Sequence, residues 1–366
     1  MKKRRGFALV LCFSVLLTAG GVWLALFPAA RLSPTENRLL ADAPTLTLAT
    51  LCDGSYAAAW DTYATERFPA RAALRRARSL FHLALGEREV GGVILCRDGS
   101  LSRRIETDER AYLQNLTALG RLRERWQLLG AEVTAMVVPR RIEARTAVLP
   151  QICEPPDTKD WQTLAARCPW AMALTDCTEA DYWYRTDHHW TAHGAYFAYC
   201  RLAEVWGITP FSDFRREVVA TDFYGTSDAA AGIPHIQPDT ITLYRFTGEE
   251  NLVVTRDGKE ASFDGLYDLQ RLAERDKYAV YLGGNTARLE ISLGEGDTRP
   301  HLVVVRDSFA DALLPFLARH FRITAIDPRY HVGSLDTLLE EGSRVLVLCG
   351  MQSICASVFF TPLLRQ

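Results

Sequence analysis

HLVVVRDSF, residues 301–309, is the stretch on which the fold turns. His301 to Val305 shows no alternation of polar and apolar residues, the pattern of a strand covered on both faces inside a parallel sheet. Arg306-Asp307-Ser308 follows at once, and Phe309 to Phe321 reads as a helix. Further on, Arg322 to Ile326 reads as a strand, Leu335 to Glu341 as a helix and Arg344 to Leu348 as a strand. Upstream, Ala111 to Leu129 carries Leu113, Leu116, Leu119, Leu122, Trp126 and Leu129 on one helical face. It precedes Glu132 to Val138, a β-branched run ended by Pro139. Alternating strands and helices of this kind predict an α/β protein with a doubly wound parallel sheet flanked by helices. Ligands bind such sheets beyond the carboxyl ends of the strands, and Ser308 falls there. A strand-to-helix turn exposes a hydroxyl, and the helix N-terminus favours a developing oxyanion. A serine there is by itself only a cap; a free His/Asp pair elsewhere in the chain changes its meaning.

Such a pair lies in DYWYRTDHHWTAHGAYFAYCRLAEVW, residues 181–206. Three of the eight histidines, His188, His189 and His193, fall within six residues, next to Asp187. A carboxylate two residues before an imidazole can fix its tautomer and stabilise its charged form. Thr191 to Val205 reads as a helix capped by Thr191, which puts Asp187 and His189 in the loop before a helix N-terminus. A metal set of His189 and His193, with Asp187 or His188 as a third ligand, is the competing reading. Against it, the helix begins between the two histidines, so they share no regular face. Asn285, with Gly284 allowing close backbone approach, is a candidate oxyanion donor, and a Gly-Gly-Asn run also makes a plain turn.

The rest of the chain sets the surroundings. At 366 residues it can hold one large domain or two. After MKKRRG, Phe7 to Phe27 runs twenty-one residues without a charge, about 31 Å of helix and enough to span a bilayer core. We expect a signal-anchor transmembrane helix whose Lys2, Lys3, Arg4 and Arg5 keep the N-terminus cytoplasmic and the rest extracytoplasmic. The expected domains are residues 1–30, tail and anchor; 31–115, a helical stalk and N-terminal lobe; and 116–366, the α/β domain. Tyr56 to Thr65 and Ala70 to Leu85 read as helices separated at Phe68-Pro69, and Val90 to Leu95 as a strand entering a turn. Residues 223–227 and 229–234 read as loop, and Ile241 to Phe246, Leu252 to Arg256, Ala279 to Leu282 and Leu289 to Leu293 as strands. The net charge is −2 at pH 7, with no basic patch, which sets nucleic acid aside. An oxidising exterior permits a disulfide among Cys153, Cys168 and Cys177, whereas Cys52, Cys96, Cys200, Cys349 and Cys355 read as small buried hydrophobes.

TDHHWT at 186–191, VVVRDSF at 303–309 and IDPRY at 326–330 resemble the DHHW-type proteins of Gram-positive bacteria. These are similar in turn to the SGNH-like acetyltransferase domains of alginate O-acetylation proteins. SPTENRLL at 33–40, Tyr63 to Arg71 and YGT at 224–226 extend the resemblance. It implies an SGNH-hydrolase-like fold with Ser308 as nucleophile, His189 as base and Asp187 orienting it, His188 being the variable middle residue. The implied activity is transfer or removal of an acetyl group on a cell-surface polysaccharide, with a membrane-bound O-acyltransferase as donor partner and no cofactor or metal. The chain departs from the pattern where Arg306 replaces a glycine and where Arg141 stands in place of the lysine of Val-Pro-x-Lys. Arg141 is therefore a candidate substrate contact, and Trp183, Trp190 and Tyr224 are candidates for stacking on sugar rings. An acetylesterase and a non-catalytic polysaccharide-binding protein are the alternatives.

Overall fold

The computed structural model describes residues 10, 11, 13–15, 17–23, 32–33, 38–68, 70–263, 265–340 and 342–364. They fall into two compact units, Met1–Glu87 with Ala229–His235, and Arg88–Asp228 with Ile236–Gln366. In the first, helices α1 (Ser55–Arg67) and α2 (Arg71–Ala84) follow the expected pair. Arg75 of α2 donates to the carbonyls of Ala229 and Ala230, and the Ser79 hydroxyl to that of Ala231 at 2.7 Å. Nine of the twenty-one residues of the expected span Phe7 to Phe27 lie outside the described residues, as do Pro69 and half of SPTENRLL. No helix among the described residues is long and apolar enough to cross a membrane.

The second unit begins with strands β1 (Glu89–Val90), β2 (Val93–Leu95) and β3 (Leu101–Arg103), which form a small antiparallel sheet. The expected single strand is split because Gly91 and Gly92, at φ 60° and 72°, turn the chain between β1 and β2. The unit boundary lies after Glu87. Leu101 N–H donates to Arg185 O at 2.8 Å, and the next helix, α3 (Glu109–Leu128), buries Leu116, Leu119, Leu122 and Trp126 against the main sheet.

That sheet draws on β4 (Glu132–Val138) and, after α4 (Lys159–Arg167), β5 (Met172–Ala173). Helix α5 (Ala192–Trp206) follows, then a two-stranded ribbon of β6 (Arg215–Phe223) and β7 (Asp239–Arg245), with α6 (Thr226–Ala231) between them where a loop was expected. Strands β8 (Val253–Arg256), β9 (Lys259–Glu260), β10 (Arg288–Ser292) and β11 (His301–Arg306) come next. Helix α7 (Ala310–Leu317), β12 (Arg322–Ile326), β13 (Arg344–Gly350) and α8 (Met351–Ala356) complete the layer. The spatial order is β9-β8-β10-β12-β11-β13-β4-β5. The pairings from β12 to β5 are parallel, and those from β9 to β12 antiparallel. The doubly wound parallel sheet is therefore present, extended on one side by three antiparallel strands.

Both faces of β11 are covered. Leu302 and Val304 join the core shared with α5 and α7, whereas Val303 and Val305 join the core shared with α3 and α8. β13 divides in the same way, with Leu346 and Leu348 on one side and Val345 and Val347 on the other. Burial on both faces accounts for the unbroken apolar runs. From β11 the chain passes through α7 to β12 on one side, then returns to β13 on the other, so β11 sits at the switch point. Helix α7 ends at Leu317 rather than the expected Phe321; Pro315 inside it offers no N–H to the preceding turn. Two other segments tighten to 3₁₀ turns, Lys277–Val280 where a strand was expected and Leu335–Leu338 where a helix was.

The eight described cysteines are free thiols, including Cys153, Cys168 and Cys177. Cys52 is exposed and Cys200 half-buried, unlike the buried hydrophobes they were read as.

Candidate active site

Residues 181–191 form a loop tied across its base and at its tip. Thr191 N–H donates to Tyr182 O at 2.9 Å, and Tyr184 N–H to His189 O at 3.2 Å. Thr191 caps α5 as expected, its hydroxyl oxygen accepting from Gly194 N–H at 3.2 Å. Only glycine fits at 194, since a Cβ there would lie 2.3 Å from Tyr182 O. From below, the Asp239 carboxylate at the start of β7 accepts from Arg185 N–H (2.6 Å), Thr186 N–H (2.7 Å) and the Thr186 hydroxyl (2.5 Å). Burial raises the Asp239 pKa, and those three donors oppose the shift.

Within this frame Asp187 and His189 meet. His189 Nδ1 lies 2.6 Å from Asp187 Oδ1, which also accepts the His189 backbone N–H at 2.9 Å. Asp187 Oδ2 accepts from Thr226 N–H at 2.6 Å and from the Thr226 hydroxyl at 2.9 Å. Gly225 lets the two segments approach, because a Cβ there would fall 2.3 Å from Asp187 Oδ2. Burial works against charge on Asp187, but His188, His189 and these donors hold its carboxyl well below the ordinary range. Burial likewise disfavours the His189 cation, yet the Asp187 charge and hydrogen bond win and raise its pKa.

His189 Nε2 completes the chain 2.7 Å from Ser308 Oγ. Ser308 follows β11 and is half-exposed where its neighbours from His301 to Ala310 are buried. Asp307 anchors the turn, accepting from Phe309 N–H (3.0 Å), from Gly350 N–H at the end of β13 (2.8 Å) and from the Ser353 hydroxyl (2.6 Å). Arg306, fully buried, pairs with Asp311 on α7. Burial, opposed by Arg306, pushes the Asp311 pKa up to about 6. Tyr278 lies flat on His189, ring centroids 4.0 Å apart at 5°, and its hydroxyl donates to Ser308 O at 3.3 Å.

The structure thus brings Asp187, His189 and Ser308, 121 residues apart at their extremes, into one hydrogen-bonded row. Trp190 lies behind the row, fully buried, its indole N–H donating to Phe309 O at 3.0 Å. Burial likewise removes Trp183, 3 % exposed, from contact with a sugar, so both expected stacking roles are corrected to packing. Tyr224 keeps 37 % of its surface exposed, beside Gly225. Arg141 is corrected as well. It is buried, donates to Leu101 O (3.1 Å) and Ser102 Oγ (3.0 Å), and lines a cavity with Asp98, Asp181 and Arg216 rather than with Ser308. Leu282, Gly283 and Gly284 all have positive φ, and they carry Asn285 to an exposed position. Its carbonyl accepts from Arg256 at 3.0 Å, and its side-chain amide has no partner among the described residues. His193 turns away to Asp181 at 2.9 Å, so the metal set with His193 does not assemble. Asp187, His188 and His189 place their ligand atoms within 4.8 Å of one another, and the Asp187 and His189 atoms are already committed to the hydrogen bonds above.

Gly225, Thr226, Tyr278 and Asp239 were not assigned roles from the sequence. In the sequence YGT reads only as a motif, Tyr278 stands beside an expected strand, and Asp239 opens a strand with nothing to mark it.

Fold and site together define an α/β protein with a serine at the end of a parallel strand, hydrogen-bonded to a His–Asp pair carried on one loop. Residues 167–326 match the family model described as DHHW protein, so the resemblance read from TDHHWT and VVVRDSF holds across the segment that carries this site. Solved structures of similar fold include a DHHW family protein from Eubacterium siraeum, 20% identical, with a TM-score of 0.60 over 73% of this chain and 93% of that one. PatB1 of Bacillus cereus, solved with a sulfonyl adduct, is 17% identical, with a TM-score of 0.57 over 74% and 96%. The O-acetyltransferase domain of Pseudomonas putida AlgJ aligns at a TM-score of 0.46 and 17% identity, over 72% and 92%. No curated protein matches.

Proposed function

We propose that the chain transfers an acyl group, acetyl by the family resemblance, to a hydroxyl of a cell-surface polysaccharide through Ser308. The observation that carries this reading is the row Asp187–His189–Ser308, with 2.6 and 2.7 Å between successive side chains. His189 Nε2 takes the Ser308 proton as Oγ attacks the acyl carbonyl, and Asp187 stabilises the imidazolium that forms. The Ser308 N–H, which has no acceptor among the described residues, and the Asn285 amide are the candidate donors to the oxyanion. His189 returns the proton to the leaving group, leaving an acyl-serine. An incoming sugar hydroxyl then gives its proton to His189 and takes the acyl group. Water in place of the sugar makes the same site an esterase.

In this reading Phe7 to Phe27 anchors the chain with its α/β unit outside, and a membrane-bound O-acyltransferase delivers acetyl groups from the cytoplasm. The full-length protein in detergent, given a chromogenic acetyl ester, is expected to acetylate Ser308, detected by mass spectrometry of the quenched reaction. An aryl sulfonyl fluoride is a second probe, since PatB1, of the same fold, carries a sulfonyl adduct. Both adducts should vanish in Ser308→Ala and the acetyl adduct in His189→Ala. A folded wild type that forms neither adduct returns the chain to a binding role. Turnover abolished by chelator and retained in Ser308→Ala points to a metal hydrolase.

A further inference from the structure

Thr226 determines the tautomer of His188. The Thr226 hydroxyl has one proton, and Asp187 Oδ2, 2.9 Å away, belongs to an ionised carboxylate that can only accept. The proton therefore points at Asp187. His188 Nδ1 lies 2.6 Å from the same hydroxyl oxygen, so this contact closes only if Nδ1 carries the hydrogen and donates it. His188 Nε2 is then a bare lone pair. Burial, with the neighbouring His189 charge and the Arg103 and Arg329 guanidiniums, outweighs Asp187 and pushes the His188 pKa down to about 3. The ring stays neutral and the lone pair open at neutral pH. No donor among the described residues meets it. Of the three side chains His188 is the most open, 19 % exposed against 7 % for His189 and 2 % for Asp187.

The site thus presents two imidazoles side by side, ring centroids 3.8 Å apart. Both rings turn Nδ1 toward Asp187 Oδ1, at 3.4 Å for His188 and 2.6 Å for His189, so both Nε2 corners face away from it; His189 Nε2 is engaged at Ser308, and His188 Nε2 meets no donor among the described residues. Resting on the acyl-transfer reading above, the geometry points to His188 Nε2 as the group that accepts a hydrogen bond from a second hydroxyl of the acceptor, selecting a vicinal diol over a lone alcohol or water. In the transfer step the first hydroxyl gives its proton to His189 Nε2 as its oxygen bonds to the acyl carbon. The acyl–Oγ bond breaks, and Ser308 Oγ recovers the proton from His189. His188 exchanges no proton; it holds the neighbouring hydroxyl and so fixes which oxygen faces the acyl-serine. Water and a monohydric alcohol have no second hydroxyl on an adjacent carbon to give. An acceptor rich in adjacent hydroxyls is a carbohydrate, so this residue converts an acyl-serine open to hydrolysis into one that prefers sugar. One neutral hydrogen bond made in the transfer step is worth about tenfold in rate.

The test compares cyclohexane-1,2-diol with cyclohexanol as acceptors for the full-length protein charged by a chromogenic acetyl ester. It reads, for each, the ratio of acetylated acceptor to released acetate. Wild type is expected to favour the diol about tenfold per hydroxyl. His188→Asn retains an amide N–H near the Nδ1 position for Thr226 but has nothing at Nε2, and is expected to bring that preference to about one. His188→Gln, whose amide oxygen reaches the Nε2 position, is expected to restore part of it. A preference absent from wild type, or unchanged in His188→Asn, overturns the inference. So does a loss in which Ser308 acetylation and transfer fall by the same factor at an unchanged ratio, the mark of a purely structural role. A wild type that never acetylates Ser308 is a different failure, because it removes the acyl-transfer reading and this inference with it.

Discussion

Asp187 is held at Oδ2 by Thr226 and at Oδ1 by the His189 backbone N–H, and its charge and its hydrogen bond to the ring raise the His189 pKa. On the acyl-transfer reading His189 works as a base when neutral, so activity should rise with pH through a His189 value above its ordinary one. Asp187→Asn removes the charge, and the acid limb of kcat/KM for a chromogenic acetyl ester should move to lower pH. The plateau should fall about 10⁴-fold, as when a catalytic triad loses its carboxylate. A limb that stays in place would assign the titration to another group. The same shift bears on folding. A raised native pKa means that His189 adds stability that is complete below its unfolded value and is lost as pH rises through the native one. The support beneath Asp187 is equally specific. Thr226→Val deletes the hydroxyl donor and should slow Ser308 acetylation about tenfold, while Thr226→Ser restores it. Gly225→Ala drives a methyl into Asp187 and should slow it further, which pre-steady-state ester cleavage would measure.

At the scale of elements, what was legible in the sequence is what burial made regular. β4, β11, β12 and β13 announce themselves by their apolar runs, and α5 because Thr191 caps it; Gly207, at φ 64°, ends it one residue past the expected Val205. Asp187, His189 and Ser308 could be named because they stand in compact runs with the right chemistry. The ribbon partner β6 could not be read. It is mostly exposed, and its register against β7 shifts at Val218/Ala220 and again at Ala220/Phe223, which destroys any period of two. Tyr278 was hidden for a related reason, since a four-residue 3₁₀ turn carries no periodic signature. Trp190 shows the opposite error: an aromatic beside a His/Asp pair invites a ligand role, and only burial reveals a core residue. Gly194 lies between these cases, a glycine inside a helix with no visible excuse until Tyr182 O is found against it. Gly194→Ala gains about 1 kcal/mol of helix propensity and loses more to the clash. The variant should be less stable by about 1–3 kcal/mol, read as a lower urea midpoint at unchanged slope.

For the whole molecule, the division of the chain separates the Ser308 row from the apolar N-terminal run. Asp187, His188, His189, Thr226, Tyr278 and Ser308 all belong to the unit of Arg88–Asp228 and Ile236–Gln366. The apolar N-terminal run belongs to the other, and its described residues between Val10 and Trp23 are helical. Leu17, near the middle of the expected span, is exposed at 57 %. If Phe7 to Phe27 is the anchor, a charge at its centre costs about 2.5–3.5 kcal/mol of insertion free energy, a large share of what holds a single span in place. Leu17→Arg should therefore shift the protein from the membrane fraction toward the soluble one, while Ser308 acetylation per folded molecule stays within about twofold, because Leu17 and the Ser308 row belong to different units of the chain. Wild-type cells should in addition expose the α/β unit, and not Lys2 to Arg5, to added protease. Retention of Leu17→Arg in the membrane fraction would place the attachment elsewhere in the chain. Loss of acetylation in step with release would mean that the membrane itself completes the site.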